Sequence, residues 1–124
     1  MACVLIIDDD PSVRSALRKA LESMGHLVFD ASDGWKGLVI ADEHQPDVAL
    51  VDIIMPEMDG LEVIRKFKEK HYHFPIIAMP AQAATQRPWY GDIAKLFGAD
   101  DLLEKPFTSE EIESVVNRLI KQGT

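Results

Sequence analysis

The chain has 124 residues, the length of one domain and enough to bury a core without disulfides or a structural metal. Its formal net charge of -8 beside 47% hydrophobic residues describes an acidic globule and excludes a domain that grips a nucleic-acid backbone through its own charge. A single cysteine rules out an internal disulfide, no apolar run approaches a bilayer crossing, and no secretory signal opens the chain. A cytoplasmic protein without membrane contact is therefore expected.

Residues 3 to 7, Cys-Val-Leu-Ile-Ile, form a short apolar run that reads as a buried strand, with Cys3 as a buried structural thiol. Asp8-Asp9-Asp10-Pro11 follows. Pro11 suits a first helical turn with Asp10 as its cap, and Val13, Ala16, Leu17, Ala20, Leu21 and Met24 recur at helical spacing up to Gly25. Leu27 to Ala31 reads as a weaker strand, and Ser32-Asp33-Gly34 turns the chain into a second helix. Trp35, Leu38, Val39 and Ala41 are expected on its buried stripe.

Val48-Ala49-Leu50-Val51-Asp52 is a run of apolar residues ending on a carboxylate, bounded by Pro46-Asp47 and by Pro56 to Gly60, and it predicts a buried parallel strand. Leu61 to Lys68 is apolar on one face and basic on the other, hence a third helix. Pro75 to Met79 reads as a fourth strand, residues 88 to 97 as a fourth helix, and Asp101 to Glu104 as a short fifth strand. Thr108 and Glu111 carry capping-box chemistry for the last helix. Five strands alternating with five helices imply one α/β domain over residues 1–124. The expected architecture is a doubly wound, flavodoxin-like (βα)5 three-layer sandwich whose parallel sheet has the order 2-1-3-4-5.

In that order the first and third strands are neighbours, so Asp8, Asp9 and Asp52 converge at the carboxyl edge of the sheet. Clustered carboxylates stay ionised together only around a cation, and hard oxygen ligands point to magnesium. Lys105, after the fifth strand, reaches the same cavity. With Mg2+ the formal charges of Asp8, Asp9, Asp52 and Lys105 cancel, so an incoming phosphoryl group meets a neutral pocket.

Asp8-Asp9, then Asp52 followed by Met55-Pro56-x-Met58-Asp59-Gly60, then Gly98-Ala99-Asp100-Asp101 and Lys105-Pro106-Phe107 together resemble the receiver domain of bacterial two-component response regulators. The resemblance covers essentially the whole chain. It implies that Asp52 accepts a phosphoryl group from a sensor histidine kinase or phosphotransfer protein, and that Asp8, Asp9, Asp52 and the main-chain carbonyl of Ile54 hold Mg2+. It further implies that Lys105 pairs with phosphoryl oxygens and that the Lys105-Pro106 bond is cis. The chain would modify and dephosphorylate itself without being an enzyme in the ordinary sense. It would also pair as a homodimer through the face of the fourth helix, fifth strand and fifth helix.

Two positions depart from the family pattern. Pro80 stands where Thr or Ser is usual, and proline has neither a hydroxyl nor an amide hydrogen. Leu102 stands where an aromatic residue is usual, so the conventional switch is altered. Thr85 is a candidate substitute hydroxyl, and Trp89-Tyr90 a candidate interface or internal packing.

Competing readings carry less. An aspartate-nucleophile phosphohydrolase usually has a second Asp where Ile54 stands. A flavin module is disfavoured by the triply acidic loop after the first strand, and no Gly-rich phosphate loop occurs. His71-x-His73 reads as a solvated loop rather than a metal pair. A receiver-like interaction module that works without phosphorylation is the alternative, favoured by Pro80 and Leu102 and opposed by the intact Asp8, Asp9, Asp52 and Lys105.

Overall fold

The computed structural model describes residues 1–81, Lys95 and residues 98–122; the expected helix over 88–97, Thr85 and Trp89-Tyr90 lie outside them, Lys95 apart. Among the described residues five strands form one parallel sheet in the order β2-β1-β3-β4-β5: β1 (Cys3–Ile7), β2 (Leu27–Ala31), β3 (Val48–Asp52), β4 (Ile76–Met79) and β5 (Asp101–Leu102). Four helices are described, α1 (Pro11–Ser23), α2 (Gly34–His44), α3 (Gly60–Glu69) and α4 (Ser109–Gln122). This is the doubly wound α/β arrangement that the alternation of elements predicts.

Strand side chains alternate between faces, and each strand divides its residues between two cores. Val4, Ile6, Val48 and Leu50 pack with Leu17 and Leu21 of α1 and Val116 of α4. Leu5, Ile7, Ala49 and Val51 pack with Leu38 and Ala41 of α2 and Val63, Ile64 and Phe67 of α3. Both faces of the inner strands are therefore dry, which explains why β1 and β3 read as continuous apolar runs rather than alternating ones.

Aspartates cap the first three helices, of which Asp10 was expected from the sequence. Asp10 accepts from the Ser12 amide at 2.9 Å, Asp33 from the Lys36 amide at 2.9 Å and Asp59 from the Glu62 amide at 2.9 Å. Thr108 and Glu111 exchange reciprocal 3.1 Å bonds at the start of α4, the capping box in full.

Four expectations need correction. Trp35 and Val39 are not core: they are 57% and 56% exposed. The reason lies in the glycines, because Gly34, Gly37, Leu38 and Ala41 form the buried face of α2. A Cβ at Gly37 would stand 2.3 Å from Ile7 Cδ1, so α2 approaches the sheet closely at that glycine, with Trp35 and Val39 on the outer side. Cys3 is only partly buried, with its thiol pKa raised by burial and by Asp47. The fifth strand spans Asp101–Leu102 rather than reaching Glu104, the ladder resuming as one isolated bridge between Ala81 and Lys105, and β4 begins at Ile76 rather than Pro75.

Candidate functional site

The register of the sheet builds the site. Ile7 pairs with Val51 across β1 and β3, so one step further along both chains Asp8 comes beside Asp52. Both are buried, Asp8 fully and Asp52 to 7% exposure, whereas Asp9 is exposed at the rim. Carboxylate oxygens of Asp8, Asp9 and Asp52 lie within 4.8 Å of one another. Lys105 reaches them from beyond β5: its Nζ stands 3.1 Å from Asp52 Oδ1 and 2.8 Å from Asp8 Oδ2. The sequence-predicted side chains are thus brought together.

Main-chain ties fix each group. The Asp10 amide donates to Asp8 Oδ1 at 2.9 Å, and the Asp8 amide continues the sheet by donating to the Ala31 carbonyl at 3.1 Å. Beyond β3, the Gly60 amide donates to the Ile53 carbonyl at 2.6 Å and folds the Met55–Asp59 turn back on the strand. A Cβ at Gly60 would fall 2.0 Å from the Asp52 carbonyl oxygen, so only glycine permits this approach. Ile54, two residues beyond Asp52, is 70% exposed. The Lys105-Pro106 bond is cis, as the resemblance implied.

Three carboxylates and one ammonium leave the pocket short of two positive charges. Burial, with the charge of Asp8 next, pushes the Asp52 carboxyl up to about 6, against the opposing pull of Lys105. On Lys105 the contacts to Asp8 and Asp52 outweigh desolvation, the largest single influence, and the ammonium is held above its usual value. A site with carboxylate oxygens this close and this charge deficit fits one divalent cation of the hard, oxygen-seeking kind. Asp8, Asp9 and Asp52 would hold it.

Two contributors escaped the sequence reading. Arg14, one turn into α1, donates to the Asp8 main-chain carbonyl at 2.8 Å and stands 3.7 Å from Asp30 of β2. Arg18, four residues on, bonds Asp30 at 2.9 Å. Their i, i+4 spacing was the only signal, and Asp30, the polar residue in β2, is what it pointed to. His71 and His73 are exposed, as expected of a solvated loop. His26 Nδ1 accepts from the Ala2 amide at 3.1 Å, and His44 stacks on Phe29 with centroids 4.0 Å apart.

At the two atypical positions, Pro80 is buried and its carbonyl accepts from the Lys105 amide at 2.9 Å. Leu102 packs partly buried against the core shared with α2 and α3.

Comparison with known proteins agrees with this geometry. A family model described as the response regulator receiver domain matches residues 4–117. The chain is 36% identical over 121 residues to the response regulator MprA of Mycolicibacterium vanbaalenii, covering 98% of this chain and 51% of that protein. It is 35% identical over 119 residues to MprA of Mycobacterium leprae, covering 96% and 51%. The chain spans about half the length of these curated relatives. Among solved structures, the Francisella response regulator 1452 receiver domain superposes with a TM-score of 0.90 at 27% identity over the whole of both chains. The Vibrio cholerae chemotaxis protein CheY4 does so at 0.85 and 30% identity, over 96% of this chain and 98% of that one. The family match runs through every element that carries the acidic pocket and its lysine, and the chain belongs to the response regulator receiver domains of two-component signalling.

Proposed function

We propose that this receiver accepts a phosphoryl group on Asp52 from a histidine kinase or phosphotransfer protein, in the cytoplasm and with Mg2+ held by Asp8, Asp9 and Asp52, with the Ile54 carbonyl as a further ligand. The observation that carries this reading is the placement of Lys105 Nζ between Asp52 Oδ1 and Asp8 Oδ2 in a pocket of clustered carboxylates.

An Asp52 carboxylate oxygen attacks phosphorus in line, the P–O bond forms as the donor's bond to phosphorus breaks, and the donor leaves with its electron pair. Lys105 supplies a fixed ammonium beside the atom that carries the phosphoryl group, stabilising charge on its oxygens without a reorganisation cost at that moment. When bound, Mg2+ would neutralise phosphoryl oxygens and orient them for displacement. Asp8 holds Lys105 in place before transfer, since the two are in contact at 2.8 Å. The acyl phosphate then decays by hydrolysis, water taking the phosphoryl group and Asp52 leaving as the carboxylate, without turnover of a separate substrate.

The switch that follows is atypical. No hydroxyl stands at Pro80 to meet the phosphoryl group and no aromatic ring stands at Leu102 to swing. The remaining covalently short route is Lys105 itself: its side chain touches Asp52 and its amide bonds the Pro80 carbonyl. Movement of the ammonium toward a phosphoryl group would therefore be felt at Pro80 through the main chain.

Intact mass after treatment with acetyl phosphate tests the reading. A gain of one phosphoryl group of about 80 Da that requires Mg2+ and is absent in Asp52→Asn is expected. The alternative, a receiver that binds partners without phosphorylation, is favoured by Pro80 and Leu102. An unchanged mass with Mg2+ present would count against the acceptor reading and favour this alternative.

A further inference from the structure

We propose that Arg14 is a positioning residue for the Mg2+ site: by holding the Asp8 main-chain carbonyl it sets the Asp8-Asp9 peptide so that Asp9 reaches the cation. This inference deepens the metal reading proposed above and rests on it.

Asp9 is the exposed one of the three carboxylates. Asp8 and Asp52 are buried, and Asp8 is tied by its amide to the Ala31 carbonyl at 3.1 Å and by its Oδ1 to the Asp10 amide at 2.9 Å. A carboxylate oxygen of Asp9 nevertheless lies within 4.8 Å of the other two, against their repulsion. A peptide unit is planar, so the carbonyl of residue 8 and the Cα of residue 9 move as one body. Arg14 Nη1 donates to that carbonyl at 2.8 Å. The bond therefore fixes the point from which the short Asp9 side chain reaches toward Asp8 and Asp52.

The guanidinium suits this task. Its Nε faces Asp30 of β2 at 3.7 Å, and Asp30 is held in turn by Arg18 Nε at 2.9 Å. Arg14 thus links the loop after β1 to β2 through two different nitrogens, which a rigid planar fork does and a point-like ammonium does not. Asp30 also offsets the charge of Arg14, so a cation in the neighbouring pocket meets less repulsion. The Arg14 amide bonds the Asp10 carbonyl at 3.1 Å in the first turn of α1, the helix that Asp10 caps. Both neighbours of Asp9 are therefore anchored, Asp8 to β2 and to Arg14, Asp10 to α1.

Calorimetric titration of the full chain with Mg2+ alone tests the proposal, with urea unfolding of each metal-free variant to establish its folded fraction. Arg14→Gln is expected to bind Mg2+ about tenfold more weakly than the wild type, the low end of what partners that orient metal ligands contribute. The sign is diagnostic, because loss of a positive charge beside the pocket would by Coulomb interaction alone tighten Mg2+. Arg14→Lys keeps the charge without the fork; it is expected to weaken Mg2+ by about threefold, and it carries the test if Arg14→Gln does not fold. Leu17→Val, which loosens the packing of α1 on the sheet, is expected to lose stability and keep wild-type Mg2+ affinity. Folded arginine variants that bind Mg2+ as tightly as the wild type, or more tightly, overturn the proposal. So does an equal loss of affinity in Leu17→Val. A wild type that takes up no Mg2+ is a different failure: it removes the metal reading itself, and this inference with it.

Discussion

The Lys105 amide donates to the Pro80 carbonyl at 2.9 Å, so the residue whose ammonium touches Asp52 is also hydrogen-bonded to the residue that lacks the usual hydroxyl. The bond uses only the carbonyl of Pro80, which any residue supplies. Pro80→Thr should therefore keep the tie and add a hydroxyl near the carboxyl edge of β4. It should lose about 0.4–1 kcal/mol of stability, chiefly because the unfolded chain regains freedom that proline removes. In exchange, chemical-shift changes on addition of a phosphoryl analogue with Mg2+ should extend further from Asp52 than in the wild type. Identical shift changes in both proteins would show that the hydroxyl is not the missing link.

Asp52 gives the metal-free protein a specific pH dependence. Its carboxyl is raised from 3.8 to about 6 in the folded state, so between those values the folded protein holds more protons than the unfolded chain. Stability from this group is full below about pH 4 and is lost as pH rises through about 6. Asp52→Asn removes the charge and keeps the shape. Without Mg2+ it should be more stable than the wild type at pH 7.5 by about 1–2 kcal/mol, less than the full worth of the shift because water reaches part of the site. The advantage should vanish near pH 4. Urea titrations at the two pH values measure it, and an advantage that is the same at both would mean that burial of the charge is not its source.

How much of this was legible in the sequence depends on what each residue's role rests on. Asp8, Asp52 and Lys105 each follow an apolar run, and strand alternation with parallel order suffices to bring them to one edge. Asp10 and Thr108 announce helix starts because a cap is a local interaction. Trp35 was misread because which face of α2 turns inward is decided by contacts distant in sequence, those of Gly34 with Met58 and Val63 and of Gly37 with Ile7. A glycine carries no hydrophobic signal, although here it marks the buried face. Arg14 was missed for a similar reason, since its bond to the Asp8 carbonyl depends on how α1 lies along β1 and β2. The early end of β5 at Leu102 is likewise a matter of pairing with β4, not of local composition.

Asp9 separates metal binding from folding. It is exposed, unlike Asp8 and Asp52, so Asp9→Ala should change metal-free stability by no more than about 0.5 kcal/mol. Loss of one of three carboxylates should nevertheless weaken Mg2+ strongly. In the wild type, Mg2+ at a hundred times its dissociation constant should add about 2.7 kcal/mol and raise the melting midpoint by several degrees. Thermal melts with and without Mg2+ should show that rise in the wild type and little of it in Asp9→Ala. Equal rises in both would remove Asp9 from the ligand set.

Gly60 places the strongest constraint on the site from outside it. Its amide bonds the Ile53 carbonyl at 2.6 Å, and a Cβ there would lie 2.0 Å from the Asp52 carbonyl oxygen and 2.7 Å from Ile53 Cα. Both obstacles are main chain and cannot rotate away. Gly60→Ala therefore has to push the start of α3 off the end of β3, at a cost of about 3 kcal/mol or more, the upper range for overpacking. Because the main chain displaced is that of Asp52 and Ile53, modification at Asp52 should fall even under conditions where the variant remains folded. Gly25→Ala is the control, since a Cβ at Gly25 meets nothing within 4 Å and the cost there arises only from its φ of 88°. Gly25→Ala should lose stability but keep wild-type modification of Asp52 when folded. If the two variants are modified equally at matched folded fraction, the close approach of Gly60 to β3 does not govern the acceptor.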